Sequence, residues 1–270
     1  VVDSVGRTPA QLVKQGTGAT GFLHLLQDHD IHKFAEKGDV PQVWDLVERG
    51  VPPDFPDPFT GRTPLWVALN EGQEEVANLL LNLEVIDLTR TLNGLSYLHT
   101  AVFGKSPQLA QMLLARGIDV NHRPETGEAV LHLAVQRSDV QSVQLLLDFD
   151  ADPDLVVEPS GSALHLAVLA TEAVVLVQIV VNVMADTNLQ DGEGCTPLML
   201  AVRDVLPSTE QDDIVHALVE GDADANVAAD DFEVPLTMAL ENGSSSEVIT
   251  ALLESRANPN RGTAAVYETK

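Results

Sequence analysis

One cysteine stands among the 270 residues, Cys195, so no disulfide can close within the chain. Aromatic residues supply only 4% of the sequence, which leaves Leu, Val and Ala to fill the core. That composition suits thin helical layers better than a barrel or a sandwich. Positive charge is scarce as well: 15 Lys+Arg face 41 Asp+Glu, a net charge of -26. A nucleic-acid-binding surface needs the opposite sign to displace counterions from phosphates, and an anionic membrane surface repels such a chain. Long apolar runs are missing too. The longest, residues 173–184, is interrupted by Gln178 and Asn182 and falls short of the ~20 residues a helix needs to cross a bilayer. No charged and apolar signal segment is read at the N-terminus, so a cytosolic setting is the simplest expectation.

What is present is ordinary globular material, 44% hydrophobic and 21% charged, enough to bury a core. The acidity is uneven. Residues 185–260 hold 16 acidic side chains and two basic ones, Arg203 and Arg256, net -14. A charge-steered partner is therefore expected to meet the C-terminal end.

A four-residue phrase recurs along the chain: TPLW at Thr63, SYLH at Ser96, AVLH at Ala129, SALH at Ser162, TPLM at Thr196, VPLT at Val234, and a degenerate HDIH at His29. Successive offsets are 34, 33, 33, 33, 34 and 38 residues. Each phrase opens the same grammar. Thr or Ser caps a helix, and Pro fits the first turn, where its missing N–H has no partner anyway. A short apolar helix, a turn and a second helix with Leu or Val at helical spacing follow. The second helix is expected to end at Gly50, Gly117, Gly221 or, as a substitute, Asp150, in a left-handed cap. A polar finger then leads to the next phrase.

Segments such as GEAVLHLAVQRSDVQSVQLLLDFDADPD make the whole chain resemble the ankyrin repeat family. The resemblance implies an all-α solenoid of stacked antiparallel helix pairs with β-turn fingers, each repeat contacting only its neighbours. Residues 29–270 are read as the array and residues 1–28 as an N-terminal partial repeat or cap. Thr8 to Gln11 (TPAQ) looks like a repeat start, yet only 21 residues separate it from His29, so a finger is missing between them. A deleted loop, an unusual cap and a rearranged chain order all fit. Between Ala201 and Val215 the sequence runs about four residues long, and a bulged turn between helices is expected there. Phrases such as TPLWVAL are also similar to phrases of rabankyrin-like endosomal adaptors.

Several motifs invite chemistry. Gly16-Thr-Gly18-Ala-Thr-Gly21 is a literal G-x-G-x-x-G, but no strand precedes it, so an inter-helix turn is the expectation. Asp222, Asp224, Asn226, Asp230 and Glu233 fit a calcium-loop spacing, with Val227 where the loop requires Gly. His32, His99, His132 and His165 share the fourth place of the phrase. They fall on separate layers about 8–10 Å apart, whereas zinc ligands lie ~2 Å from one point. Each ring is expected to bridge a helix and a finger through both nitrogens. Neither metal is expected to bind, nor any cofactor or small-molecule substrate. Cys195 has no base beside it, and a finger-surface thiol is expected. The segment FPDPF from Phe55 reads equally as an exposed anchor or as a packed turn.

With no catalytic constellation, the expected function is that of a scaffold or adaptor holding a protein or peptide. Two alternatives are a regulatory or substrate-recruiting part of a larger enzyme or channel, and an endosomal trafficking adaptor of the rabankyrin type. The resemblance implies a concave partner face made by finger tips and the first helix of each repeat. On this chain that face comprises Phe59, Thr60, Arg62, Trp66, Asn70 and Glu71; Leu92, Asn93, Leu95, Tyr97 and Phe103; Glu125, Thr126, Glu128, Gln136 and Arg137; Glu193, Arg203 and Asp204; and Asp230, Asp231, Glu233 and Glu241. Its N-terminal half is aromatic and its C-terminal half acidic. A partner with an apolar anchor and a basic stretch suits both.

Overall fold

The computed structural model describes residues 31–83, 85–124, 127–203, 208–229 and 233–258. The chain divides into two compact units, with the boundary between Asp119 and Val120. The proposed cap, residues 1–28, and the Gly16–Gly21 motif lie outside the described residues.

In the first unit, helical residues 31–37 precede α1 (Val40–Glu48), α2 (Pro64–Asn70), α3 (Glu74–Leu81), α4 (Tyr97–Phe103) and α5 (Pro107–Leu114). A two-stranded finger, β1 (Thr91–Leu92) and β2 (Leu95–Ser96), pairs antiparallel between α3 and α4. Asn93 (φ 53°) and Gly94 (φ 82°) turn it, an Asn-Gly pair that tolerates the two positive φ values such a hairpin demands. The second unit holds α6 (Val130–Gln136), α7 (Val140–Asp148), α8 (Ala163–Val168), α9 (Ala173–Asn182), α10 (Pro197–Arg203), α11 (Ser208–Glu220), α12 (Pro235–Glu241) and α13 (Ser246–Glu254).

The phrases place the first helix of each pair. α2, α4, α6, α8, α10 and α12 each begin one residue after a phrase starts. Thr63 caps α2 by accepting from the Trp66 N–H at 3.2 Å, with Pro64 at the first helical position. Within each unit first helices pack on first helices and second on second, α2 on α4, then α6 through α8 and α10 to α12, with α7, α9, α11 and α13 behind them. The buried layer is Leu, Val and Ala, including Leu65, Leu98, Leu131, Leu164 and Leu198, all at most 2% exposed.

An Asn ladder ties finger to finger in the second unit. Asn121 Oδ1 accepts from the Asp152 N–H (2.8 Å) while its Nδ2 donates to the Asp150 carbonyl (3.2 Å). Asn188 does the same to Asp224 and Asp222, and Asn226 to Asn258 and Arg256. These bonds satisfy backbone groups that a turn leaves orphaned.

Two expectations change. The long segment after Ala201 lengthens the second helix rather than only its turn: α11 runs 13 residues where the other second helices run 8 to 10. Gly221 is not the left-handed residue after α11. Asp222 takes that role at φ 65°, as Asp150 and Met184 do at φ 62°. Gly221 instead admits a close neighbour, because a Cβ there would meet Val181 Cγ1 at 2.6 Å.

Candidate partner-binding surface

In the first unit the finger before α2 is built around a buried carboxylate. Asp57, 6% exposed, accepts at Oδ1 from the N–H of Phe59 (3.0 Å), the N–H of Thr60 (2.8 Å) and the Thr60 hydroxyl (3.0 Å). This holds Phe59 89% exposed on the finger tip, beside exposed Thr60 and Arg62. Phe55 is half-buried, so the two aromatics of FPDPF divide the two readings between them. The next finger abuts this one: a Cβ on Gly61 would come within 3.2 Å of Leu92 Cδ1. Leu92 is half-buried, and Asn93 and Leu95 are exposed. At the far end of the first helices, Asn70, Glu71 and Phe103 are exposed. A Cβ at Gly104 would sit 3.5 Å from the Leu69 carbonyl, which brings the Phe103 and Asn70 ends together.

Trp66 and Tyr97 are corrected as surface residues. They are 7% and 0% exposed and pack ring to ring with centroids 5.2 Å apart. The Tyr97 hydroxyl meets Thr63 Oγ1 at 2.7 Å, and burial pushes its pKa up to about 12. Their place in the phrase aims them at the adjoining repeat, so they support the surface from beneath.

In the second unit Gln136 is exposed and donates to Glu128, while Arg137 is half-buried. Arg203 donates to Glu193 at 2.9 Å and reaches Cys195 Sγ at 3.6 Å. Cys195 is not a surface thiol: it is 4% exposed, and its N–H donates to Asp191 Oδ1. Glu233 is half-buried and Glu241 exposed. Asp230, Asp231, Asp204, Glu125 and Thr126 lie outside the described residues.

The phrase histidines staple helices to fingers. Nε2 of His32, His132 and His165 donates to the carbonyls of Arg62, Leu155 and Cys195 at 2.9–3.0 Å. Nδ1 of His99 and His165 accepts from the hydroxyls of Ser96 and Ser162. Burial holds His132 and His165 below the usual imidazole pKa. Of the calcium-like residues, Asn226 donates from both its N–H and Nδ2 to Asp224 Oδ1 and also serves the ladder. No group of three or more His, Cys, Asp and Glu among the described residues is arranged to hold a metal, and no described helix is long and apolar enough to cross a membrane.

Stacked helix pairs joined by hydrogen-bonded fingers define a repeat protein. The family model described as Ankyrin repeats (3 copies) matches residues 31–124, 131–229 and 170–263, and the chain belongs to that family. Among solved structures, the ankyrin repeat domain of Bcl-3, described as a unique member of the IkappaB protein family, superposes with a TM-score of 0.70 at 27% identity, covering 83% of this chain and 97% of that one. The human ASB11 ankyrin repeat domain gives a TM-score of 0.65 at 21% identity over 85% and 98% of the two chains. An ankyrin repeat domain from Acinetobacter baumannii AYE gives 0.66 at 23% identity over 72% and 98%. These last two show the fold alone. No curated protein sequence matches the chain.

Proposed function

We propose that this chain is a scaffold or adaptor module that holds a partner polypeptide on the finger and first-helix surface of its first unit, and that it carries out no chemistry of its own there. Ankyrin repeats are protein-interaction modules in general, and the observation that supports this site is Phe59, held 89% exposed on a tip that three hydrogen bonds to Asp57 make rigid. A preorganised aromatic loses little entropy on binding, and such anchors dominate interface energetics. Phe103, Leu95 and Asn70 extend the patch. The partner carries an apolar segment for this patch and a basic stretch drawn by the net -14 of residues 185–260. A cytosolic setting accompanies this reading.

The test is affinity capture with this chain from cytosol, followed by calorimetry on the captured partner. Phe59→Ala with Phe103→Ala should weaken it by about 1–2 kcal/mol and leave the melting curve nearly unchanged. Charge reversal at Asp230, Asp231 and Glu233 should slow association more than it hastens dissociation, and added salt should do the same. Unchanged affinity in the double-alanine variant sends the site elsewhere.

A further inference from the structure

The second helices of the second unit provide an internal control, because the same position can be read in neighbouring repeats. The left-handed residues Asp150, Met184 and Asp222 fix the alignment. Where α7 turns Gln141 outward, α9 turns Val175, 41% exposed; where α7 is followed by Asp150, α9 is followed by Met184, 90% exposed. Val183, 40% exposed, and half-buried Ile179 continue the stripe, as Phe149, 36% exposed, and half-buried Leu145 do on α7, so α9 differs from α7 at Val175 and Met184. α9 therefore shows an apolar stripe outward, at helical spacing, without a neighbour covering it. On α11 the places of Val175 and Met184 are taken by Asp213 and Asp222, and those of Ile179 and Val183 by Ala217 and Gly221.

Between α9 and α11 runs a groove of about 790 Å³. Ala217 lines it from α11, Met184 stands on its rim, and Asp186, Asp213, Glu220 and Asp222 surround it. No Lys or Arg lines it, and none of these four carboxylates joins an ion pair among the described residues. Its volume is that of a ligand-binding cleft. An apolar ridge beside an acidic wall matches one kind of occupant: an amphipathic segment whose apolar side chains cover Val175, Val183 and Met184 while its Lys or Arg side chains enter the groove. A second copy of this chain fits poorly, since each copy carries a net charge of -26 and would bring like charge to this face.

We propose that the α9–α11 groove docks a basic, amphipathic segment of a partner protein, at a site on the second helices separate from the finger surface of the first unit. Its position on the opposite member of each helix pair lets it work whether or not the finger surface binds anything.

The probe is a fluorescent peptide with Leu at helical spacing and Arg between, followed by anisotropy. Two controls accompany it: the same pattern with Glu for Arg, and the Arg peptide with Ser for Leu. The Leu/Arg peptide should bind saturably and both controls weakly. Val175→Gln with Met184→Asn gives α9 a polar side chain at the two places where α7 has Gln141 and Asp150, without changing charge, and Asn suits the left-handed position. This variant should melt normally and weaken the peptide by roughly five-fold or more. Asp213→Asn with Glu220→Gln should weaken it by more than the same charge change at Glu74 and Glu75 on α3. Phe59→Ala with Phe103→Ala should leave this peptide unaffected, which separates failure here from failure of the finger site. Equal binding by the Val175/Met184 variant, equal effects of the two charge changes, or a dimer of this chain dissolved by Ala217→Trp would each overturn the proposal.

Discussion

Ala129 withholds from His132 the hydroxyl that Ser162 gives to His165. In the later repeat, His165 Nδ1 accepts from Ser162 Oγ at 2.9 Å and from the Ser162 N–H at 3.0 Å, while its Nε2 donates to the Cys195 carbonyl at 3.0 Å. In the earlier one, His132 Nε2 donates to the Leu155 carbonyl at 3.0 Å, but its fully buried Nδ1 has no partner. The fourth place of the phrase returns an acceptor to the capping N–H elsewhere too, through Met199 Sδ and Thr237 Oγ1. Ala129→Ser should therefore complete the pair and raise the unfolding free energy by about 1 kcal/mol. Urea unfolding measures it, and a neutral or destabilising result would sink this account of the motif.

The Asn ladder breaks at Asp154. Its Oδ1 accepts from the Asp186 N–H at 2.8 Å, but a carboxylate has no amide to donate to the Met184 carbonyl as Asn121 donates to Asp150. Burial raises the Asp154 pKa, with Asp152 and Asp186 adding to the effect. The folded state thus holds this proton more tightly than the unfolded chain, so its contribution is present at low pH and lost as pH rises through the folded value. Asp154→Asn should stabilise, and by more at neutral pH than below the usual carboxylate range. A gain independent of pH would show that the missing donor matters and the charge does not.

Protonation works the other way at His132 and His165. Burial lowers both below the usual imidazole value. The unfolded chain takes up these protons first, so the stability they give is complete above the unfolded pKa and is lost as pH falls through the lower folded values. Ring-proton NMR should show both imidazoles titrating below the usual imidazole range. Midpoints at or above 6.5 would contradict the desolvation argument.

First-helix starts were legible because capping is local: Thr63, Ser96 and Ser162 sit beside the N–H groups they satisfy, so residue type and spacing suffice. The candidate surface was legible in part. Phe59 and Phe103 stand out in solvent, but Trp66 and Tyr97 face a neighbouring repeat, and no single phrase shows which way a fourth-place or second-place ring points. Cys195 went astray for the same reason, since Asp191 folds the finger over it. The apolar run 173–184 was informative about membranes but silent about its outward stripe, which emerges only when α9 is set against α7 and α11.

Gly221 tests how far a glycine's role can be read from its position. It stands where a left-handed cap is expected, yet the positive φ belongs to Asp222. What Gly221 supplies is proximity: a Cβ would lie 2.6 Å from Val181 Cγ1 and 3.3 Å from Thr187 Cγ2, against the C-terminal end of α9. The Thr187 hydroxyl also donates to the Gly221 carbonyl at 3.0 Å, so the two segments cannot separate freely. Gly221→Ala should cost about 1–3 kcal/mol by overpacking. Gly50 is the contrasting case, with φ 89° and nothing within 4 Å of its missing Cβ. There Ala meets only backbone strain, and Asn, which tolerates the left-handed region, should recover part of the loss. Asn at position 221 should recover nothing, whereas Val181→Ala should, by removing the methyl in the way. A double-mutant cycle between Gly221→Ala and Val181→Ala reads this coupling directly. Additive losses in that cycle would show that Gly221 serves backbone freedom after all.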